Sequence, residues 1–176
     1  MFHVSEANEH QGSGLIIDQT TDFITDLLDV RFIQNYSSGA TGFALASDLY
    51  MHGHDVTCVA GITTTEQPEW LPLVLRTPEP KQMLAELKAL SNDDIDAWIH
   101  AAAVLDYVVD SPAEGKIASQ QGGLDVNLVE SEKHIMALKE PCKDAVRIGF
   151  KLESGIKQKD LIYRAKAQIE KAGMTA

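Results

Sequence analysis

Two cysteines in 176 residues are too few for a disulfide framework. Cys58 lies in an apolar run that reads as a buried strand and Cys142 follows Pro141, so neither has the setting of a catalytic thiol, and a reducing, cytoplasmic compartment is expected. No stretch of about 18 apolar residues occurs, which excludes a membrane-spanning helix. The N-terminus has neither the basic start nor the apolar core of a secretory signal. Positive charge is scarce as well: 15 Lys and Arg against 26 Asp and Glu leave a net charge of −11. Such a surface repels phosphate backbones and anionic headgroups, so no nucleic-acid or membrane partner is expected, while a local anion site stays open. Internal repeats, low-complexity blocks and metal-ligand spacings are absent. His52 and His54 suit a helix end, and His100 a strand interior.

What the chain does have is enough apolar material, 44% of its residues, for one core of ordinary size. Residues 1–14 are polar and expected to form a flexible leader, leaving 15–176 as a single domain. Short apolar runs at 15–18, 55–61, 70–76, 97–102 and 145–150 read as strands, and 124–128 alternates as a half-exposed strand should. Helical spacing marks 43–52 and 156–172, with Leu161, Ala165, Ile169 and Ala172 on one side of the latter. It is clearest at 80–90, where Pro80 precedes Met83, Leu84, Leu87 and Leu90. Ser131 can cap a short helix carrying Ile135, Met136 and Leu138. Residues 20–28 read as a helix or an irregular loop, and 109–121 as a loop. Strands alternating with helices imply an α/β fold: three-layer, Rossmann-like, a mostly parallel sheet with helices on both faces.

The organising stretch is Asp29-Val-Arg-Phe-Ile-Gln-Asn-Tyr-Ser-Ser-Gly-Ala-Thr-Gly42, an irregular polar segment that feeds the helix ended by Gly53. A glycine-rich entry to a helix offers unpaired backbone N–H groups and the positive end of the dipole. Ser37, Ser38 and Thr41 add hydroxyls, Gly39 and Gly42 permit close backbone approach, and Arg31 and Asn35 bring a charge and an amide. These residue types suit phosphate; a plain helix start is the alternative. In an open parallel sheet ligands gather at the C-terminal ends of the strands. There the small residues Ala101, Ala102 and Ala103 leave backbone amides accessible, and Asp106 and Phe150 follow strand ends. Three alanines also suit close packing, and Asp106 a turn.

In order and spacing, Val30-Arg-Phe-Ile-x-Asn-x-Ser-Ser-Gly-x-x-Gly42, Ala101-Ala-Ala-Val-x-Asp-Tyr107, Glu114-x-Lys116-Ile and Ile148-Gly-Phe-Lys151 resemble phosphopantothenate-cysteine ligase, the ligase domain of the pantothenate metabolism flavoproteins. The resemblance implies condensation of 4'-phosphopantothenate with cysteine in coenzyme A biosynthesis. The carboxylate attacks the α-phosphate of CTP or ATP, pyrophosphate leaves, and the cysteine amine displaces the nucleotide from the acyl-nucleotide. It assigns Asn35 to the acyl intermediate and Lys116 to a phosphate-neutralising loop, both catalytic. Arg31, Asn35 and Ala103 fall to substrate, and Ser37, Ser38, Gly39, Gly42, Ala101, Ala102, Ala103, Asp106, Lys133, His134, Ile135, Met136 and Phe150 to the nucleotide. Mg²⁺ bridging phosphates, a homodimer and a flavin-dependent decarboxylase partner are further implications.

This chain departs from that pattern in several places, among them the missing proline before Lys133 and a last helix on which only Lys166 and Lys171 match the family's lysines. Asp18-Gln-Thr-Thr-Asp22 stands where the family has a Gly-Gly-Thr loop, and the sequence ends at Gly173-Met-Thr-Ala176, ahead of an Ala-Asn-Asp-like segment. The expectation is therefore a domain lacking the family's C-terminal part, and an inactive nucleotide-binding or regulatory relative is the alternative to the ligase. A short-chain NAD(P)-dependent oxidoreductase fits less well: the glycines lie downstream of Arg31 and Asn35 rather than directly after the first strand, and no Tyr-x-x-x-Lys pair occurs.

Overall fold

The computed structural model describes residues 14–19, 25–28, 31–33, 35, 37–71, 73–91, 94–112 and 125–176; of 18, 19, 25–28, 31–33 and 73 it describes the backbone alone. Strand β1 (Gly14–Gln19) carries Leu15, Ile16 and Ile17, all buried, because it is paired on both edges and covered on both faces. Its neighbours are β4 (Asp55–Ala60) and β6 (Ile95–His100); β5 (Leu73–Arg76) and β9 (Val146–Gly149) complete the sheet. The order is β5-β4-β1-β6-β9, and every pairing is parallel. Ile16 lies opposite Thr57 on one side and Trp98 on the other.

Period-two alternation along β1 sorts the core into two layers. Ile16 joins Val59, Trp98 and the buried face of α2 (Pro80–Leu90), namely Met83, Leu84 and Leu87. Leu15 and Ile17 point the other way, to Val56, Cys58, Ala60 and the Phe43 and Ala46 side of α1 (Ala40–Met51). The sheet is thus mostly parallel with helices on both faces, as the alternation of elements predicts. Helix α3 (His134–Ala137) is a single turn, and α4 (Gln158–Ala172) ends at Gly173 in the left-handed conformation, φ 63°. Gly53 plays the same part after α1, at φ 85°. Both cysteines are buried and neither forms a disulfide. No helix among the described residues is long and apolar enough to cross a membrane.

Several boundaries differ from the sequence reading. Within the segment read as a helix or irregular loop, Thr25–Leu28 is a strand, β2, and it forms a separate antiparallel pair with β3 (Arg31–Ile33), in the stretch read as irregular; 20–24 lie outside the described residues. A second antiparallel pair joins β7 (Tyr107–Val109) to β8 (Leu128–Glu130), so the expected strand at 124–128 begins only at its last residue. The strand expected at 70–76 spans only Leu73–Arg76, and Trp70 is exposed in the turn before it. Helix α3 starts after Lys133 with no side-chain cap, so Ser131 does not cap it, and α4 begins at Gln158 rather than at 156. Gly14, assigned to the leader, opens β1; residues 1–13 lie outside the described residues.

The least expected core residue is Arg147 at the second position of β9, fully buried. Its Nη1 donates to the Ala172 carbonyl at 2.7 Å and its Nη2 to the Ile135 carbonyl at 2.6 Å. One guanidinium therefore binds the last turn of α4 and the turn of α3 to the same strand, using carbonyls that helix ends leave unpaired. Residues beyond α4 lie along β9, with Thr175 N–H donating to the Arg147 carbonyl and Gly149 N–H to that of Ala176. Arg147→Met keeps the apolar stem but strands both carbonyls, and should lower stability by about 3 kcal/mol. Leu152→Ala, at a 93% exposed residue, should change it by less than about 0.5 kcal/mol. Urea unfolding of the two variants checks the contrast.

Candidate functional site

The crossover from β1 leads toward β4 and that from β6 toward β9, so the connections part at the C-terminal ends of β1 and β6 and leave a crevice there. Two segments meet at this point. Asn35 Nδ2 donates to the Ala103 carbonyl at 2.8 Å, joining the loop before α1 to the segment after β6 across 68 residues of sequence. Gly39 is the N-cap of α1, buried and at φ 78°, a conformation that glycine adopts without strain. The Phe43 N–H donates to the Gly39 carbonyl at 3.0 Å, and the Ala40 N–H to Ser38 Oγ at 3.3 Å. Gly42, expected in the loop, is a buried position inside the first turn of α1.

Beside this junction lies a cavity of about 170 Å³ whose lining includes Ala102, Asp106, Lys133, His134, Ile135 and Phe150. Six of the residues nominated from sequence thus border one space. Asp106 Oδ1 and Lys133 Nζ are 3.4 Å apart, both more than 60% exposed, so the pair orients more than it stabilises. The Ser131 N–H donates to the Asp106 carbonyl at 2.8 Å and ties β8 to this rim. Phe150, 52% exposed directly after β9, is not the core residue its type suggests; its free face turns a flat apolar surface toward the rim. His100 is buried at the back, its ring stacked on Trp98 with centroids 6.5 Å apart.

Ser37, Ser38, Gly39 and Gly42 sit at the entrance of α1 and do not line this cavity, nor do Ala101, Ala103 and Met136. Asn35 does not line it either; its Nδ2 bonds to Ala103, which stands between the lining residues Ala102 and Val104. The backbone of Arg31 belongs to β3, but its side chain lies outside the described residues, as do Lys116 and the Thr20 to Asp22 segment. Sequence reasoning gave no site role to Lys151 and Gln168, which also line the cavity, together with His100, Val104, Leu105 and Gly149. Lys151 was legible as the residue after Phe150; Gln168 lies mid-helix on α4, where only folding reveals its direction. Lys151 Nζ also meets Glu153 Oε1 at 3.0 Å, and Arg164 Nη1 meets the other carboxylate oxygen at 3.3 Å. Hydrogen bonds from Lys151 and then Arg164 hold the Glu153 carboxyl below its ordinary value, against a smaller opposing effect of desolvation.

Residues 20–176 match the profile of the DNA/pantothenate metabolism flavoprotein C-terminal domain. Among similar curated proteins is the "Coenzyme A biosynthesis bifunctional protein CoaBC" of Thermococcus kodakarensis, 33% identical over 145 residues, covering 82% of this chain and 35% of the relative. The protein of the same name from Methanocaldococcus jannaschii is 34% identical over 152 residues, 86% of this chain and 36% of the relative. The chain spans about a third of the length of these relatives. Of the solved structures, the DNA/pantothenate metabolism flavoprotein from Streptococcus pneumoniae superposes with a TM-score of 0.82 at 20% identity, over 93% of this chain and 80% of that one. A Cab2 mutant in complex with phosphopantothenate-cysteine gives 0.75 at 20% identity, over 92% and 70%. These structural likenesses establish the fold.

Two outcomes follow from the geometry. Asn35→Ala removes a partly buried hydrogen bond and should cost about 1 kcal/mol in urea unfolding, with the fold retained by circular dichroism. Because the Glu153 carboxyl is depressed in the folded state, its contribution is complete above the ordinary glutamate value and lost as pH falls through the folded one. The stability difference between the wild type and Glu153→Gln should therefore be largest at about pH 7 and shrink by about pH 3, as urea midpoints at the two pH values will measure.

Proposed function

The chain belongs to the DNA/pantothenate metabolism flavoprotein C-terminal domain family, and from that membership we propose that it condenses 4'-phosphopantothenate with cysteine through an acyl-nucleotide, in coenzyme A biosynthesis. The observation that carries this reading is the Asn35–Ala103 hydrogen bond. It brings the Arg-x-x-x-Asn-x-Ser-Ser-Gly loop against the small-residue strand end, beside the cavity bordered by Asp106, Lys133 and Phe150. A carboxamide both donates and accepts, so Asn35 suits an acyl group whose charge changes during transfer. Backbone at 101–103 carries no bulky side chain to keep a substrate away. Phe150 offers a stacking face for a base, and Lys133 and Lys116 offer cations to phosphates.

The co-substrate is CTP or ATP, with Mg²⁺ arriving on its phosphates. Such an ion keeps its waters and is held mainly by substrate oxygens; among the described residues no three His, Cys, Asp or Glu side chains gather to hold a metal. Arg31 and Asn35 are assigned to the acyl substrate and the 37–42 loop to the nucleotide phosphates. A cytoplasmic homodimer with a flavin-dependent decarboxylase partner completes the reading.

Incubation with 4'-phosphopantothenate, Mg²⁺ and either CTP or ATP should release pyrophosphate, faster with cysteine present. Asn35→Ala and Lys116→Ala should each lower the rate by about 100-fold, the usual cost of removing one group that stabilises developing charge. Absence of pyrophosphate with both nucleotides would refute the assignment, and the nucleotide that works identifies the co-substrate.

A further inference from the structure

A second basin opens at the C-terminal ends of β4 and β5, apart from the cavity beside Phe150. It has a volume of about 470 Å³, and its lining includes Thr63, Thr64, Thr65, Glu66, Arg76 and Thr77. Arg76 is the last residue of β5, and its guanidinium is held by neutral oxygens alone among the described residues. Nη1 donates to the Gly61 carbonyl and to Thr63 Oγ1, both at 3.1 Å, and Nη2 to Gln67 Oε1 at 3.2 Å. The cation lies 5.6 Å from the ring centroid of Phe43, in the first turn of α1, which fixes its height above the sheet. These contacts position the charge without cancelling it, and leave Nε–H and one Nη2 hydrogen for a further acceptor.

Thr77 supplies the independent observation. It is 5% exposed, and its Oγ1 is buried with no hydrogen-bond partner. Its backbone is satisfied, the N–H donating to the Ala60 carbonyl at 2.8 Å, so the hydroxyl alone is left over. A buried hydroxyl without a partner is destabilising, and because Thr77 borders the basin beside the guanidinium, rotation of its side chain toward the basin would satisfy the hydroxyl with an anionic oxygen. The basin is coupled to the loop already described, since the Thr65 N–H donates to the Ser38 carbonyl at 3.0 Å.

We propose that the Arg76–Thr77 basin is a second anion subsite that receives a terminal phosphate. It rests on the ligase reading in one respect: that reaction involves two such groups, the pyrophosphate end of the nucleotide and the phosphate ester of 4'-phosphopantothenate, and the shared chemistry is a doubly charged phosphate oxygen cluster. Glu66, exposed at the same basin, opposes an anion and makes the affinity adjustable in both directions.

Isothermal titration with inorganic pyrophosphate, 4'-phosphopantothenate and unphosphorylated pantothenate tests this without any turnover. Arg76→Gln keeps a donor for the Gly61 carbonyl but loses the charge, and should weaken at least one phosphorylated probe by about tenfold or more. Thr77→Val should weaken the same probe while leaving the thermal midpoint unchanged or higher, since it removes an unpartnered buried hydroxyl. Glu66→Gln should tighten it. The probe affected tells which end of the reaction docks there, and pantothenate should be indifferent to all three changes. Unchanged affinities for both phosphorylated probes in Arg76→Gln and Thr77→Val overturn the proposal. A chain that binds pyrophosphate in this way yet never releases it from nucleotide overturns the ligase reading and leaves the subsite standing.

Discussion

The constraint on which the structure depends is the burial of β1 on both edges and both faces. A strand with parallel neighbours on either side needs crossover connections, and those connections must run over the two faces because hairpins cannot join parallel strands. With β1 in the middle, the chain builds outward to β4 and β5 in one direction and then returns to build β6 and β9 in the other. The crevice at the C-terminal ends of β1 and β6 is therefore a consequence of topology. It exists before any side chain is chosen to furnish it.

What furnishes it is a small number of long-range contacts. The Asn35–Ala103 bond spans 68 residues and draws the entrance of α1 to the segment leaving β6. At about 1 kcal/mol such a bond is too weak to hold two layers together. The layers are held by the two apolar clusters, and the bond fixes position within a geometry the clusters have already set. Arg147 does the corresponding work at the far side of the sheet, clamping the α3 turn and the end of α4 to β9 behind the cavity wall that Ile135 and Gln168 help to form.

How far these features can be read from sequence follows from their range. Helix α2 is legible at both ends, because Pro80 presets the first turn and Met83, Leu84 and Leu87 repeat with the helical period. The five sheet strands are legible as apolar runs. The two antiparallel pairs are not: β2, β3, β7 and β8 are three or four residues long, too short to display a period, and their pairing lies in contacts between segments. Ser131 looks like a cap by residue type, yet the chain at Lys133 is still extended and the helix begins beyond its reach. Arg147 looks like the outward residue of a half-exposed strand; only helix-end carbonyls from two other elements make an interior arginine tolerable. The candidate site residues were nominated by motif, and six of them border one cavity because the ends of β6 and β9 are adjacent.

The acidity of the chain and its proposed appetite for anions are compatible because screening makes electrostatics local. At physiological ionic strength charges more than about 8 Å apart in solvent hardly interact, so the net −11 governs approach more than the grip within a crevice. Local pairing decides that grip. Among the described residues, Lys133 has Asp106 beside it, and Lys151 and Arg164 converge on Glu153. Arg76 is held by a carbonyl, a hydroxyl and a carboxamide, which orient it and leave its charge in place. The Arg76 charge is therefore left without an ion-pair partner among the described residues at the basin beyond β4 and β5, and Glu66 in the same lining is the group that opposes it.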